Sequence, residues 1–127
     1  MSAPIVYVDR SRVRDGKLEQ LEAAIGELAA FVEANNPRVL SYRFFLDRED
    51  GRMTVVAVHP DSEALALHMD VGGEEFGKFA GLLELESITV YGEVSEPVVE
   101  RLERKAESLG AATVSVRSAL AGFARGG

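Results

Sequence analysis

Apolar residues recur along the chain with two different spacings, and these spacings predict its secondary structure. Residues 5–10 are rich in β-branched and aromatic side chains, which predicts a first strand. In residues 17–35 the apolar positions follow one another at steps of three and four, which predicts an amphipathic helix that ends before Pro37. Residues 39–47 and 53–59 read as two further strands, joined by the turn sequence DREDGR.

A second helix is predicted after Pro60, with Asp61 or Ser62 as its N-cap. The glycine pair at residues 72–73 is expected to interrupt this helix, because glycine is a poor helix former. Helical spacing then resumes in residues 74–83.

The remainder of the chain contains a fourth strand and a third helix. Residues 84–94 read as the strand, and Ser95 can cap a helix over residues 96–110. Residues 112–120 alternate only weakly between apolar and polar positions, and residues 121–127 are expected to form a frayed tail.

The order strand–helix–strand–strand–helix–strand predicts an α+β, ferredoxin-like fold with an antiparallel sheet of four strands, followed by a C-terminal helical extension. Helices cover only one face of such a sheet, yet residues 39–46 carry apolar side chains on both faces. We therefore expect a homodimer in which two sheets pack face to face into an α/β barrel. The alternative is a monomer with an exposed apolar face. Residues 1–94 would form the ferredoxin-like domain, and residues 95–127 would pack on it or on the partner subunit.

Composition narrows the class of protein. The chain has 127 residues, which suits one domain, and it contains no cysteine, so disulfides, thiol catalysis and zinc–thiolate sites are excluded. A formal net charge of -7 argues against binding to nucleic acid. The N-terminal sequence MSAPIVYVDRSR does not have the pattern of a secretory signal, and no apolar run is long enough to span a membrane. A cytoplasmic location is the expectation.

Three stretches of the sequence resemble the antibiotic biosynthesis monooxygenase (ABM) family of dimeric α+β barrels, and together they cover about residues 4–94. They are GKLEQLEAAIGEL, VLSYRFFLDREDGRMTVVAVHPDSEAL, and LHMDVGGEEFGKFAGLL leading to ITVYGEV. A histidine in the helix after the hairpin, followed eight residues later by phenylalanine, recurs in that family, and here these residues are His68 and Phe76. The resemblance implies a monooxygenase that oxidises a quinol-like or polycyclic aromatic substrate with O₂ and needs no flavin, metal or other cofactor.

His68 is the predicted catalytic residue, because an imidazole can accept a phenolic proton or stabilise the resulting anion. The alternative is a buried histidine that only hydrogen-bonds to a carbonyl or carboxylate. Aromatic walls, hydroxyl groups and a cation suit an aromatic substrate, and ordinary packing is the alternative. The predicted substrate-binding residues are Tyr42, Arg43, Phe76, Phe79 and Tyr91.

Other residues depart from the pattern of related enzymes. The chain contains no tryptophan, and Asp9 stands where the haem-degrading branch of this fold has an asparagine, so haem degradation is not expected. His59, just before Pro60, is predicted to have a surface or turn role, and no motif supports a metal site built on the two histidines. Because fold alone does not determine function, a non-catalytic small-molecule-binding or structural dimer remains the alternative.

Overall fold

A computed structural model describes residues 3–110 and 113–125 of the chain. Residues 1 and 2 of the predicted segment 1–94, residue 112 of the segment 112–120 and residues 126 and 127 of the tail lie outside the described residues, and so does residue 111. The elements in chain order are β1 (Ile5–Val13), α1 (Leu18–Asn35), β2 (Ser41–Asp47), β3 (Arg52–His59), α2 (Ser62–Gly77), β4 (Leu83–Tyr91), α3 (Glu96–Gly110) and β5 (Thr113–Arg117).

The strands form one sheet in the order β2-β3-β1-β4-β5. The first four strands pair antiparallel in the ferredoxin-like order, which confirms the predicted α+β fold class. A fifth strand was not predicted: β5 pairs parallel with β4, and its short, weakly alternating sequence gave little sign of it. The sheet of the single chain is open and does not close into a barrel.

The central strand β1 is longer than its predicted extent of residues 5–10. It continues to Val13 because β3 and β4 flank it on both sides and satisfy its backbone hydrogen-bonding groups. Ser11 and Val13 are buried with the other odd-numbered residues of β1. The sequence SRVRDG is therefore strand for its first three residues and not wholly a polar connection.

An irregularity in β4 keeps its apolar residues on one face of the sheet. Arg10 pairs with Ser87 but Ser11 pairs with Leu85, so one extra residue, Glu86, bulges from β4. Because of this bulge, Leu85 and Ile88 are both buried although they are three residues apart.

The prediction that the glycine pair interrupts the second helix is wrong. The helix α2 runs without a break from Ser62 to Gly77, and Asp61 is its N-cap, accepting a hydrogen bond from the Ala64 amide at 2.8 Å. Residues 78–82 form turns, so helical structure covers only part of the predicted segment 74–83. Gly72 is buried against the protein, and this packing outweighs the low helix propensity of glycine.

The strand β2 begins at Ser41, two residues later than predicted, so Leu40 precedes the strand and is 59% exposed. Tyr42 and Phe44 pack against the core, as does Leu46. Phe45 points to the other face of the sheet and is 52% exposed.

The helix α3 buries a stripe of apolar side chains in the same hydrophobic core as the strands: Val98, Leu102, Ala106 and Leu109. It packs on β4, β5 and α2. As a result, α3 covers one side of the space between α2 and the sheet. No helix in the described part of the chain is long and apolar enough to cross a membrane.

Candidate functional site

A small cavity, here called the inner cavity, lies between α2, α3 and the helix-covered face of the sheet. Its volume is about 40 Å³. Most of its walls are aliphatic or aromatic side chains, including Phe76 and Phe79. Its polar lining consists of Tyr7, Asp9, Ser11, Tyr42, His68 and Lys105.

The sheet register sets a carboxylate among apolar neighbours. Asp9 is on the central strand, opposite Val55 of β3 and Ile88 of β4, and all three are buried. A buried charge is costly unless nearby groups compensate it, so the partners of Asp9 determine whether the site is stable.

Lys105 and Tyr7 provide that compensation in a short hydrogen-bonded chain. Lys105 Nζ donates to Tyr7 Oη at 2.8 Å, and the Tyr7 hydroxyl donates to Asp9 Oδ2 at 2.6 Å. The ammonium nitrogen lies 3.9 Å from Asp9 Oδ2 and 4.6 Å from the centre of the Phe76 ring. The cation from α3 is thus held by a carboxylate, a hydroxyl and an aromatic face.

Burial changes the proton affinity of these groups. It raises the pKa of Asp9, although the Lys105 charge and the Tyr7 hydrogen bond act in the opposite direction. Burial also lowers the pKa of Lys105, against the attraction of Asp9. The pKa values of the Tyr7 and Tyr42 hydroxyls are raised, again chiefly by burial, so both stay protonated. Asp9 is therefore a stronger base than a carboxylate in water.

His68 projects from α2 into this environment and is neutral at pH 7. Burial is the main cause that lowers its pKa to about 3, and repulsion of its protonated form by Lys105 and by the protonated form of His59 acts in the same direction. Its ring centre lies 5.1 Å from that of Tyr42 and 5.2 Å from that of Phe76. Its Nδ1 is buried and has no hydrogen-bond partner within residues 3–110 and 113–125, so this nitrogen is an unsatisfied polar atom in the core.

His59 is buried beside His68, which corrects the prediction of a surface or turn role. It has 0% exposure, and the two imidazole centres are 5.0 Å apart. Burial, together with the Lys105 charge, lowers its pKa to about 4. A signal for this placement was present in the sequence, because His59 continues the alternation of inward-facing residues along β3.

Because glycine has no side chain, Gly72 leaves room for the Phe76 ring to reach the site. His68, Gly72 and Phe76 are spaced by four residues and so lie on one face of α2. A Cβ atom on Gly72 would be only 2.5 Å from Phe76 Cζ. Gly72 therefore leaves the space that the Phe76 ring fills next to His68.

The structure brings together four of the predicted site residues: His68, Tyr42, Phe76 and Phe79 all line the inner cavity. It does not bring the other two there. Arg43 and Tyr91 are exposed on the opposite face of the sheet, because each is one residue out of phase with the inward-facing positions of its strand.

The sequence analysis did not select two residues that line the site, and it considered a third only because this residue differs from the asparagine of the haem-degrading branch. The missed residues are Tyr7 and Lys105, and the third is Asp9. Alternation along β1 places Tyr7 and Asp9 on one face. Lys105 lies three residues after Leu102 and four before Leu109, on the buried stripe of α3, and this spacing was the available signal.

A second and larger pocket, here called the outer pocket, lies between α2 and α3. Its volume is about 300 Å³, and it shares Phe76, Lys105 and Leu109 with the lining of the inner cavity. These three side chains separate the two spaces. No group of three or more histidine, aspartate or glutamate side chains in the described ranges is arranged to hold a metal ion.

Comparisons with known proteins give matches in structure only. No family model matches the sequence, and no curated protein matches it. MupZ from Pseudomonas fluorescens is similar in structure, with a TM-score of 0.75 at 15% identity, and the match covers 97% of this chain and 95% of that one. SnoaB, a cofactor-independent oxygenase from Streptomyces nogalater, has a TM-score of 0.62 at 20% identity, with coverage of 74% and 96%.

A candidate antibiotic biosynthesis monooxygenase from Caulobacter crescentus is also similar, with a TM-score of 0.55 at 25% identity and coverage of 74% of this chain and 92% of that one. Because the match to MupZ covers almost the whole chain, it includes at least part of α3 and β5. The matches to the other two proteins leave about a quarter of the chain uncovered. The chain therefore has the fold of the antibiotic biosynthesis monooxygenase family, in agreement with the resemblance of its sequence.

Proposed function

We propose that this protein is a cofactor-independent monooxygenase that oxidises a quinol-like aromatic substrate with O₂. One observation carries the proposal: in the inner cavity, the buried carboxylate of Asp9, the ammonium group of Lys105 and the neutral imidazole of His68 face apolar walls. The fold shared with SnoaB, a cofactor-independent oxygenase, supports the same reading.

The reaction requires that the substrate hydroxyl lose its proton, and Asp9 is the group best suited to accept it. Burial raises the pKa of Asp9 and so strengthens it as a base. The ammonium group of Lys105 then stabilises the phenolate electrostatically. With a pKa of about 3, His68 is a weak base, so its proposed role is to orient the substrate oxygen through a hydrogen bond.

An electron-rich phenolate can react with O₂ without a cofactor. It transfers one electron to O₂, and the resulting radicals combine at the ring carbon para to the oxygen. The peroxide takes up the proton held by Asp9 and then loses water, leaving a quinone. One phenol and one O₂ thus give one para-quinone and one water, and no external reductant is needed.

The sizes of the two pockets constrain how a substrate enters. The inner cavity of about 40 Å³ is smaller than the roughly 150 Å³ of a cavity that accepts benzene. The outer pocket of about 300 Å³ is large enough for a ring system. We infer that the substrate binds in the outer pocket and reaches Asp9 when the Phe76 ring swings aside.

The small inner cavity also favours a second candidate function, a non-catalytic dimer that binds a small molecule. In that case Lys105, Tyr7 and Asp9 would serve only to stabilise the buried end of α3. Ligand would bind to such a protein in the outer pocket, but O₂ would not be consumed.

Oxygen consumption with a panel of naphthols and anthrols that carry hydrogen on the ring carbon para to the hydroxyl distinguishes the two functions. The wild-type protein should consume one O₂ per quinone formed, at a rate above that of the free substrate. Removing a general base typically costs about 10²- to 10⁴-fold in rate, so we expect a loss in this range for Asp9→Asn. His68→Ala should lower the rate less. Equal rates for all three proteins, or ligand binding without O₂ uptake, would contradict the oxygenase proposal and favour the second candidate.

We further propose that two copies of the chain form a homodimer through the open face of the sheet. Residues paired across neighbouring strands form two apolar rows on that face. One row is Val58, Val6 and Tyr91, and the next is Val56 and Val8. Tyr91 is 46% exposed, and the four valines are half-buried. Packing of this face against a second sheet would remove the apolar surface from water.

Light scattering at micromolar concentration tests the dimer. The wild-type mass should be that of two chains, and Phe45→Glu, which puts a charge on the open face, should shift it toward one chain. Leu120→Glu is the matched control, because Leu120 is 100% exposed outside the sheet, and it should keep the wild-type mass. A wild-type mass of one chain would contradict the proposed dimer.

A further inference from the structure

The outer pocket has an unusual charge for this protein. The chain carries a formal net charge of -7, yet the lining of the outer pocket includes Arg101, Arg104 and Lys105. No aspartate or glutamate is part of that lining among the residues the structure describes. A concave, positively charged surface on an acidic protein attracts anions selectively.

Two of the three cations are already paired, which leaves the third available. Arg101 forms an ion pair with Asp70 and hydrogen-bonds to the Ala66 carbonyl. Lys105 is engaged with Tyr7 and Asp9 at the boundary of the inner cavity. Arg104 has no ion-pair partner within residues 3–110 and 113–125, although its neighbours in the sequence, Glu103 and Lys105, are both charged.

Opposite Arg104, the outer pocket is bounded by α2, and this wall carries no side chain at two positions. Gly73 and Gly77 face this space, and a Cβ atom on either would meet nothing within 4 Å. The absence of side chains exposes the helix backbone and leaves room for a ligand beside Arg104. The pocket also includes the Phe76 ring, which leads toward the inner cavity.

We propose that the outer pocket is a subsite for the oxyanion of a small amphiphilic ligand, a carboxylate or phosphate attached to an aromatic body. Arg104 binds the oxyanion, since a guanidinium group matches the geometry of either anion. The aromatic body lies against Phe76 and points to the inner cavity. If the oxygenase proposal holds, this ligand defines its substrate class, and to that extent the inference rests on it.

Binding of three probes, measured by calorimetry without turnover, tests this inference separately from the oxygenase. The probes are 2-naphthoate, 1-naphthyl phosphate and the neutral 2-naphthamide. We expect the two anions to bind more tightly than the amide, and their affinity to fall as salt is added. The relative affinities of naphthoate and naphthyl phosphate decide which oxyanion the subsite prefers.

Variants assign the effect to Arg104. Loss of one partly exposed charge contact is worth about 2- to 5-fold in affinity, so Arg104→Gln should weaken the binding of both anions by about this factor and leave that of the amide unchanged. Arg48→Gln makes the same change in net charge in the turn between β2 and β3, away from the lining of both pockets, and should have no effect. Naphthoate should also shift the NMR signals of the Gly73 and Gly77 amides.

Three results would overturn the subsite. They are equal affinity of the wild type for naphthoate and naphthamide, an equal loss of anion affinity in Arg104→Gln and Arg48→Gln, and no binding of any probe at millimolar concentration. None of these depends on O₂ consumption, so the subsite can fail while the oxygenase stands, and an inactive protein can still have the subsite.

Discussion

Replacing Lys105 by methionine tests whether the C-terminal helix completes the buried site. The side chains of Asp9 and Lys105 are 7% and 17% exposed, so neither charge is well solvated. Removing one partner of a buried ion pair costs about 3–5 kcal/mol, because the other charge is left uncompensated. The Tyr7 hydrogen bond and the partial exposure of Lys105 reduce this penalty, and we expect Lys105→Met to lower the free energy of unfolding by about 3 kcal/mol.

A double-mutant cycle separates the ion pair from simple packing losses. In Asp9→Asn/Lys105→Met no charge is left buried, so the double variant should be more stable than Lys105→Met alone by about 2 kcal/mol. Urea denaturation followed by far-ultraviolet circular dichroism measures both values. With an m-value of about 1.5 kcal/mol/M, the single variant should lose about 2 M in its midpoint.

The control is Lys78→Met, which removes a solvated lysine that pairs with Glu75 within one helical turn and should leave the midpoint unchanged. The reasoning is refuted if Lys105→Met loses less than about 1 kcal/mol, or if the effects of the Asp9 and Lys105 substitutions simply add.

Three further outcomes follow from the structure. In the unfolded chain His68 has a pKa of ~6.5, whereas in the folded protein its pKa is about 3, so the folded state loses stability as the pH falls below 6.5. At pH 5 this loss is about 2 kcal/mol, and the free energy of unfolding of His68→Gln, measured in urea titrations, should depend less on pH by the same amount. Gly72→Ala should displace the Phe76 ring and change its NMR signals, whereas Gly73→Ala, which meets nothing, should stabilise α2 by about 0.5–1 kcal/mol in thermal melts. Truncation after Arg117 removes only exposed residues from the described part of the tail and should leave the melting temperature unchanged; a fall of several degrees would contradict this.

Much of the fold was predictable because local patterns and burial agree. The apolar stripe of α1 and the alternation of β2 and β3 each identified an element to within two residues. The prediction failed at the glycine pair of α2, where local propensity and tertiary packing conflict, and at β5, whose five residues become a strand only because the edge of β4 pairs with them.

The site was less predictable than the fold. His68, Tyr42 and two phenylalanines were selected by residue type and resemblance, and they do line one cavity. Arg43 and Tyr91 were selected by residue type alone, but the pleat of the sheet turns them to the other face. Side-chain chemistry alone does not reveal which face a residue occupies unless the phase of the strand is tracked.

By itself, the sequence determined the order of the elements from β1 to α3, the buried stripes of α1 and α3 and the fold class, because each of these depends on periodicities of two or 3.6 residues along the chain. Tertiary structure alone decided that Lys105, 96 residues after Asp9, supplies the counter-charge in the inner cavity. It also buried His59 beside His68, and this burial lowers the pKa of both imidazoles and keeps them neutral at pH 7. Such contacts join positions far apart in the chain, and they exist only when β1, α2 and α3 are packed around one space.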